Sequence, residues 1–232
     1  METDERSAVG AWSALDATSQ EALRLAWEAF QTGNIGVGAV ITDPTGEIVA
    51  TGRNRVMDGS APPGEVAGCS LAHAEVNALA HLAFRAPCEL TLTTSLQPCF
   101  QCAAAIRMAP IAHLRILGAD PLWDGCHDFT GLNPWLARRA PIPVEGPRRD
   151  EIGAFSVLTA RMGPGLLERL HGPLRERGEG PLLDLVLRLQ GSDRLGQLAE
   201  LSVDQALAEL WNDLSHAVAL SRAGRPADTP VR

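Results

Sequence analysis

The sequence predicts an α/β fold, a three-layer α-β-α sandwich followed by a helical C-terminal extension. Three observations predict it. The β-rich runs Ile35 to Ile41 and Ile48 to Thr51 flank Asp43-Pro44-Thr45-Gly46, a strong turn, and read as a hairpin. Helix-like and strand-like segments then alternate as far as Leu117. The order helix, hairpin, helix, strand, helix, strand is satisfied by helices on both faces of one sheet.

Residues 1–16 read as a flexible lead-in. Ser19 is placed to cap a first helix running to about Gln31. Leu23, Ala26, Trp27 and Phe30 recur on one face of it, which should pack inward. The hairpin follows, then a loop from Arg55 to Leu71 rich in Gly, Pro and Ser. A second helix carries His73 and runs to about Phe84. Leu90 to Thr94 reads as a strand entering a Pro-Cys turn. A helix opening at Cys99 and a strand from Ala112 to Leu117 come next.

Pro141 to Pro147 could add a last short strand. Composition then shifts toward Leu, Ala and Arg. The division is 17–149 as a catalytic domain, 150–223 as a helical extension and 224–232 as a frayed tail. Breaks are expected near Gly163-Pro164-Gly165, Gly178 to Pro181 and Gly191-Ser192. Ser202 with Gln205 spells a capping box ahead of a helix to about Ser221, striped by Leu207, Leu210, Trp211 and Leu214. That stripe reads as core or as a dimer contact.

The 232 residues carry a net charge of −8, and 45% are hydrophobic, enough for a substantial core. All 20 basic residues are Arg. A nucleic-acid partner usually leaves a basic footprint, so this balance argues against one. Arg138, Arg139, Arg148 and Arg149 are the one dense basic group, and they read equally as a solvated face. Cys69, Cys88 and Cys126 show no disulfide spacing, which fits a reducing interior. No apolar run is long enough to span a membrane. These features lead us to expect a cytoplasmic protein.

Two stretches carry chemistry. The first is Leu71-Ala72-His73-Ala74-Glu75-Val76-Asn77-Ala78-Leu79. The second is Ser95-Leu96-Gln97-Pro98-Cys99-Phe100-Gln101-Cys102-Ala103. A Cys-x-x-Cys turn brings two sulfurs to one metal, and His73 completes a Cys2His set. Three protein ligands leave one zinc position open for water, unlike a closed structural site. Zinc lowers the pKa of that water to roughly 7. Glu75, beside a ligand, is suited to carry protons to a ring nitrogen and a leaving amine.

Residues two apart in mid-helix face opposite sides. His73 and Glu75 can therefore share a site only at a helix N-terminus. Cys99 and Cys102, after Pro98, would open a second helix, and both positive ends favour thiolate. Each residue alone has a blander reading: a redox or structural Cys pair, a core His, a solvated Glu. The ordered combination His-x-Glu with Pro-Cys-x-x-Cys is the signature of zinc deaminases.

On these residues, with Val37-Gly38-Ala39-Val40-Ile41 and Gly52-Arg53-Asn54-Arg55, the chain resembles the cytidine deaminase-like superfamily. It resembles in particular the branch of tRNA adenosine deaminases, guanine deaminases and cytosine deaminases. The resemblance covers about residues 17 to 145. It implies the fold type, one Zn2+ per chain on His73, Cys99 and Cys102, and Glu75 as catalytic proton shuttle. It also implies substrate contacts from Asn54 and the backbone N–H of Ala74, and a homodimer. Asn54 on its own reads as a turn residue. The 55–71 loop could act as a lid, and Trp123, His127, Asp128 or Phe129 could wall a pocket.

The function expected is hydrolytic deamination of a nucleobase, nucleoside or related small heterocycle. Two alternatives stay open: a tRNA adenosine deaminase, and a non-catalytic zinc domain binding a partner through its helical tail.

Overall fold

The computed structural model describes residues 7–83, 89–129, 131–138, 141–163 and 167–223, with side chains of 167–169 excepted. Residues 1–6 of the lead-in, Phe84, Cys88, Arg139, Pro164, Gly165 and the 224–232 tail lie outside them.

The lead-in contains a helix. Helix α1 spans Ala8–Ser13 and is capped by Ser7, whose Oγ accepts from the Gly10 N–H at 3.1 Å. Six residues are too few to show a period, so burial of Ala8 and Gly10, not patterning, holds it. Helix α2 spans Ala17–Gln31. Asp16, not Ser19, caps it, since Asp16 Oδ1 accepts from the Ser19 N–H at 2.7 Å. Leu23, Ala26, Trp27 and Phe30 are buried as their spacing predicts.

Strands β1 (Gly38–Thr42) and β2 (Ile48–Arg53) form the expected antiparallel hairpin. Asp43 Oδ1 accepts from the N–H groups of Thr45 and Glu47 and closes the turn. The hairpin begins at Gly38 rather than Ile35. A Cβ at Gly38 would overlap the Ala22 carbonyl of α2, so only glycine lets helix and strand meet this closely.

Helix α3 spans Ala74–Ala80, shorter than expected, and β3 spans Leu90–Leu96. Helix α4 spans Phe100–Met108 and β4 spans Ile111–Gly118. A 3-10 turn, Pro121–Trp123, precedes α5 (Pro134–Ala137) and the two-residue β5, Val144–Glu145. The sheet order is β2-β1-β3-β4-β5. β1 pairs antiparallel with β3, whereas β3-β4 and β4-β5 are parallel.

Helix α6 (Glu151–Arg161) packs on β3, β4 and α2. The Trp27 ring stacks 5.7 Å from Phe155, so α2 and α6 share one face of the sheet. α3 seats on β2 and β1 and contacts α4. Sheet and flanking helices make the expected three-layer α/β sandwich.

Beyond α6 the chain continues as α7 (Leu167–Leu174), a kink at Arg175–Glu179, and α8 (Gly180–Gln190). Gly178 there has a φ of 94°, the break expected in that stretch. Helices α9 (Arg194–Ala199) and α10 (Val203–Ala223) complete it. Leu207, Leu210 and Leu214 are fully buried in the chain's own core, with Trp211 partly buried against it. One hydrophobic cluster runs from Ala8 through the sheet to Val218. Trp27 Nε1 donates to the Leu201 carbonyl at 2.9 Å and pins the extension to α2. Of the capping box, Gln205 Oε1 accepts from the Ser202 N–H at 3.1 Å, while Ser202 Oγ donates to Asp204 instead. No described helix is long and apolar enough to cross a membrane.

Candidate metal centre

The sequence brings His73, Cys99 and Cys102 to one point through two helix starts. His73 is the N-cap of α3 and Cys99 the N-cap of α4. Both are extended, and neither side chain caps its own helix. Their side chains are thus left for another task. Glu75 is the second residue of α3, so it turns toward the same place as His73 only because His73 lies outside the helix.

The position of α3 is fixed from below. A Cβ at Gly52 would overlap the backbone of Ala78 and Ala74, so β2 carries α3 in direct backbone contact. The Arg55 N–H donates to the Ala72 carbonyl at 2.8 Å, tying the end of the hairpin to the residue before His73.

The donor atoms form a near-equilateral triangle. His73 Nδ1 lies 3.5 Å from Cys99 Sγ and 3.4 Å from Cys102 Sγ, and the sulfurs are 3.6 Å apart. Tetrahedral zinc with Zn–S of about 2.3 Å and Zn–N of about 2.0–2.1 Å needs N···S edges of about 3.6 Å and an S···S edge of about 3.8 Å. The triangle fits that ion. Among the described residues no other His, Cys, Asp or Glu group has metal-binding geometry.

Electrostatics favour loading. The Cys102 thiol beside Cys99 pushes Cys99 down to about 4, with His73 adding to the effect. Cys102 moves up, first through its hydrogen bond with Cys99 and then through burial. The Cys99 sulfur raises His73. The cluster therefore holds a thiolate at neutral pH before any metal arrives.

Glu75 is 3% exposed. Burial raises its carboxyl pKa, and the carboxyl also meets the Cys102 sulfur. Thr94 Oγ1 lies 3.1 Å from Glu75 Oε1 and 3.0 Å from the Leu96 carbonyl. A hydroxyl has one proton to give. If Thr94 gives it to Leu96, Glu75 must be protonated to bond Thr94. If Thr94 gives it to Glu75, the carboxylate form is held. Thr94 thus accommodates both protonation states. We did not expect Thr94 here. Its signal was period-2 alternation in β3, which turns Thr94 toward α3 while Thr93 faces away.

Asn54 is buried at the end of β2, and its Oδ1 accepts from the Val56 N–H at 3.1 Å. This is the turn role that Asn favours, and it leaves the Nδ2 donor for a ligand. Ala74 is the first residue of α3, where a backbone N–H lacks an intrahelical acceptor.

The 55–71 loop is tied down at several points. Asn77 bonds both the N–H and the carbonyl of Val66, at 2.9 and 3.2 Å. Arg55 pairs with Glu65 and Asp58, and Asp58 accepts from Asn34 at 2.5 Å. A 440 Å³ hollow lined by Arg53, Arg55 and Asp58 to Pro62 lies in this loop. Of the 123–129 segment, Phe129 reaches the cysteine turn, its ring 6.2 Å from that of Phe100. In the basic group, Arg148 is taken by Asp150. Cys69, Cys99, Cys102 and Cys126 are free cysteines.

Residues 13–117 match the family described as the cytidine and deoxycytidylate deaminase zinc-binding region. Over these residues the chain is similar to that zinc-binding region. A tRNA(Ile)-lysidine synthase from Deinococcus radiodurans is 35% identical over 113 residues, 46% of this chain. The chain spans only 18% of that relative's length. A tRNA A34 deaminase structure is 27% identical with a TM-score of 0.46, over 55% of this chain and 95% of that one. A guanine deaminase from Bacillus subtilis is 27% identical with a TM-score of 0.38, over 45% and 66% of the two chains.

Proposed function

We propose that the chain is a zinc-dependent hydrolytic deaminase of a nucleobase, nucleoside or related small amino-heterocycle. The observation that carries this reading is the buried Glu75 carboxyl beside a three-donor metal triangle. A purely structural zinc site has no use for such a group.

Zinc held by His73, Cys99 and Cys102 would supply a water acidic enough to act as nucleophile near neutral pH. Glu75 takes the proton that water must lose and delivers it to the ring nitrogen, then serves the leaving amine. The balance is amino-heterocycle plus water to oxo-heterocycle plus ammonia. Burial suits Glu75 to this work, because a raised carboxyl pKa brings acid and base forms closer in energy near pH 7. Asn54 Nδ2 and the Ala74 N–H are assigned to orienting the ring.

A small substrate is supported by the charge balance of −8 without Lys. A second reading is a tRNA adenosine deaminase; the name of the Deinococcus relative supports a tRNA substrate only, and Phe100 is 57% exposed where a flanking base could stack. We retain a homodimer and a cytoplasmic location as parts of the proposal. Burial of the α10 stripe within one chain removes one reason for the dimer, and light scattering tests it.

Ammonia release across a panel of free amino-heterocycles and nucleosides, beside a tRNA transcript, tests the function. Turnover of a small substrate with no tRNA retained on a filter at physiological salt supports the first reading. Tight, steeply salt-dependent tRNA binding with no small-molecule turnover replaces it with the second.

A further inference from the structure

At the end of α6, on the face of the sheet that α6 shares with α2, lies a buried cluster of charged side chains the mechanism does not use. Arg161 at the end of α6 is 1% exposed, Asp120 2% and Glu179 8%. Arg161 meets Glu179 with two hydrogen bonds, Nε to Oε2 at 3.0 Å and Nη2 to Oε1 at 2.9 Å. Nη2 also lies 3.1 Å from Asp120 Oδ1. Charged side chains in the interior are costly to desolvate, and well-packed apolar residues often do as well. Stability alone is therefore a poor account of them.

Their placement suggests another account. Asp120 opens the segment that leads to Phe129. Its N–H donates to Gln97 Oε1 at 3.2 Å, and its Oδ1 accepts from the Leu122 N–H at 3.1 Å. Gln97 Nε2 donates in turn to the Trp123 carbonyl at 3.0 Å. Gln97 stands two residues before Cys99, and the far end of the segment sets Phe129 against Phe100 in the Cys-x-x-Cys turn. One hydrogen-bonded path thus runs from the metal-side turn through Gln97 and Asp120 to Arg161, and on to Glu179 at the head of α8. The C-terminal helices reach the site by this path.

We propose that Arg161, held by Glu179, is a positioning residue: through Asp120 and Gln97 it fixes the 120–129 segment as a wall of the substrate site. The assignment of a substrate site rests on the deaminase reading. The helical extension then has a task, setting the shape of the pocket from behind without touching the substrate.

The test uses the full zinc-loaded chain in four forms: Gln97→Met, Arg161→Met, Arg161→Lys and the double Gln97→Met/Arg161→Met. Gln97→Met cuts the path and leaves the ion cluster whole, so it guards against a fold failure in Arg161→Met. Loss of two hydrogen bonds should speed amide exchange in 120–129 by ~10-fold, with α6 and α8 unchanged. With cytidine, adenosine and guanine as probes, KM should rise by a similar ~10-fold for any that is turned over, while kcat stays within about threefold. Arg161→Lys should recover part of the loss. The double variant should be no worse than the worse single one, as expected for one path.

Unchanged exchange in 120–129 of Gln97→Met overturns the proposal, whatever the activity. Faster exchange with an unmoved KM overturns it too, since the segment would then be no wall. Wild-type protein that turns over none of the probes counts against the deaminase reading, and the exchange result still decides the anchoring.

Discussion

Replacing Glu75 by Gln separates chemistry from stability. The side chain is 3% exposed and meets Thr94 Oγ1 at 3.1 Å. Gln has the same shape, so the Thr94 contact and the packing of α3 survive. Its amide cannot shuttle a proton. General acid–base groups contribute ~10²–10⁴-fold, and turnover should fall by that factor, about 3–5 kcal/mol of transition-state stabilisation. Stability should move the other way or hold. Loss of a negative charge in the first turn of α3 costs about 0.3–1 kcal/mol. Against this, an uncharged amide is cheaper to bury than an ionised carboxylate. The assay pairs ammonia release with thermal melting and zinc analysis of the same sample. Retention of more than about a tenth of the activity would show that another group carries the protons. A destabilised, zinc-free variant would show that Glu75 is structural and refute the assignment.

Three further outcomes follow from the packing and the carboxylates. Gly52→Ala drives a methyl into the α3 backbone, so it should lose metal affinity and at least ~1–3 kcal/mol of stability. Gly59→Ala, in open space, should change neither, as zinc titration and melting would report. Thr93 Oγ1 is buried without a hydrogen-bond partner among the described residues, so Thr93→Val should hold or gain up to ~1 kcal/mol in denaturant melts. A clear loss would reveal a partner for that hydroxyl.

Acid should also unfold the protein in a defined window. Burial pushes the Asp16, Asp58 and Asp150 carboxyls up. Arg115 and the Ser19 N–H outweigh it at Asp16, Asn34 and Arg55 at Asp58, and Arg148 and the Gly153 N–H at Asp150. Each folded pKa thus lies below its unfolded value of about 3.9, so this stabilisation is complete above that pH and lost as pH falls through the folded values. Melting temperature should be flat from these groups between pH 5 and 7 and drop below about pH 4. A flat profile down to pH 2.5 would contradict it.

The parts legible in the sequence were those set by local rules. The Pro-Cys-x-x-Cys turn, the Asp43 hairpin and the Trp27 face of α2 all follow from spacing alone. So does the inference that His73 and Glu75 must sit at a helix start, because only that geometry lets residues two apart share a site. Boundaries needed tertiary knowledge. Asp16 caps in place of Ser19 because the helix starts at Ala17, and its carboxylate reaches the Ser19 N–H in the first turn. Helix α1 gave no signal because its burial depends on α10, which packs over it from the far end of the chain. The Asp120-Arg161-Glu179 cluster joins three distant segments, and no short window holds two of its members. Thr94 was readable in principle from the alternation of β3, once α3 was known to lie on that face.

We expect His73, Cys99 and Cys102 to hold one zinc on which turnover depends. Zinc should be stripped with a chelator, then returned in measured fractions while metal content and ammonia release are followed together. Activity should rise in proportion to zinc and saturate at about one ion per chain, with no recovery in Cys102→Ser. Full turnover by protein containing no transition metal would contradict it.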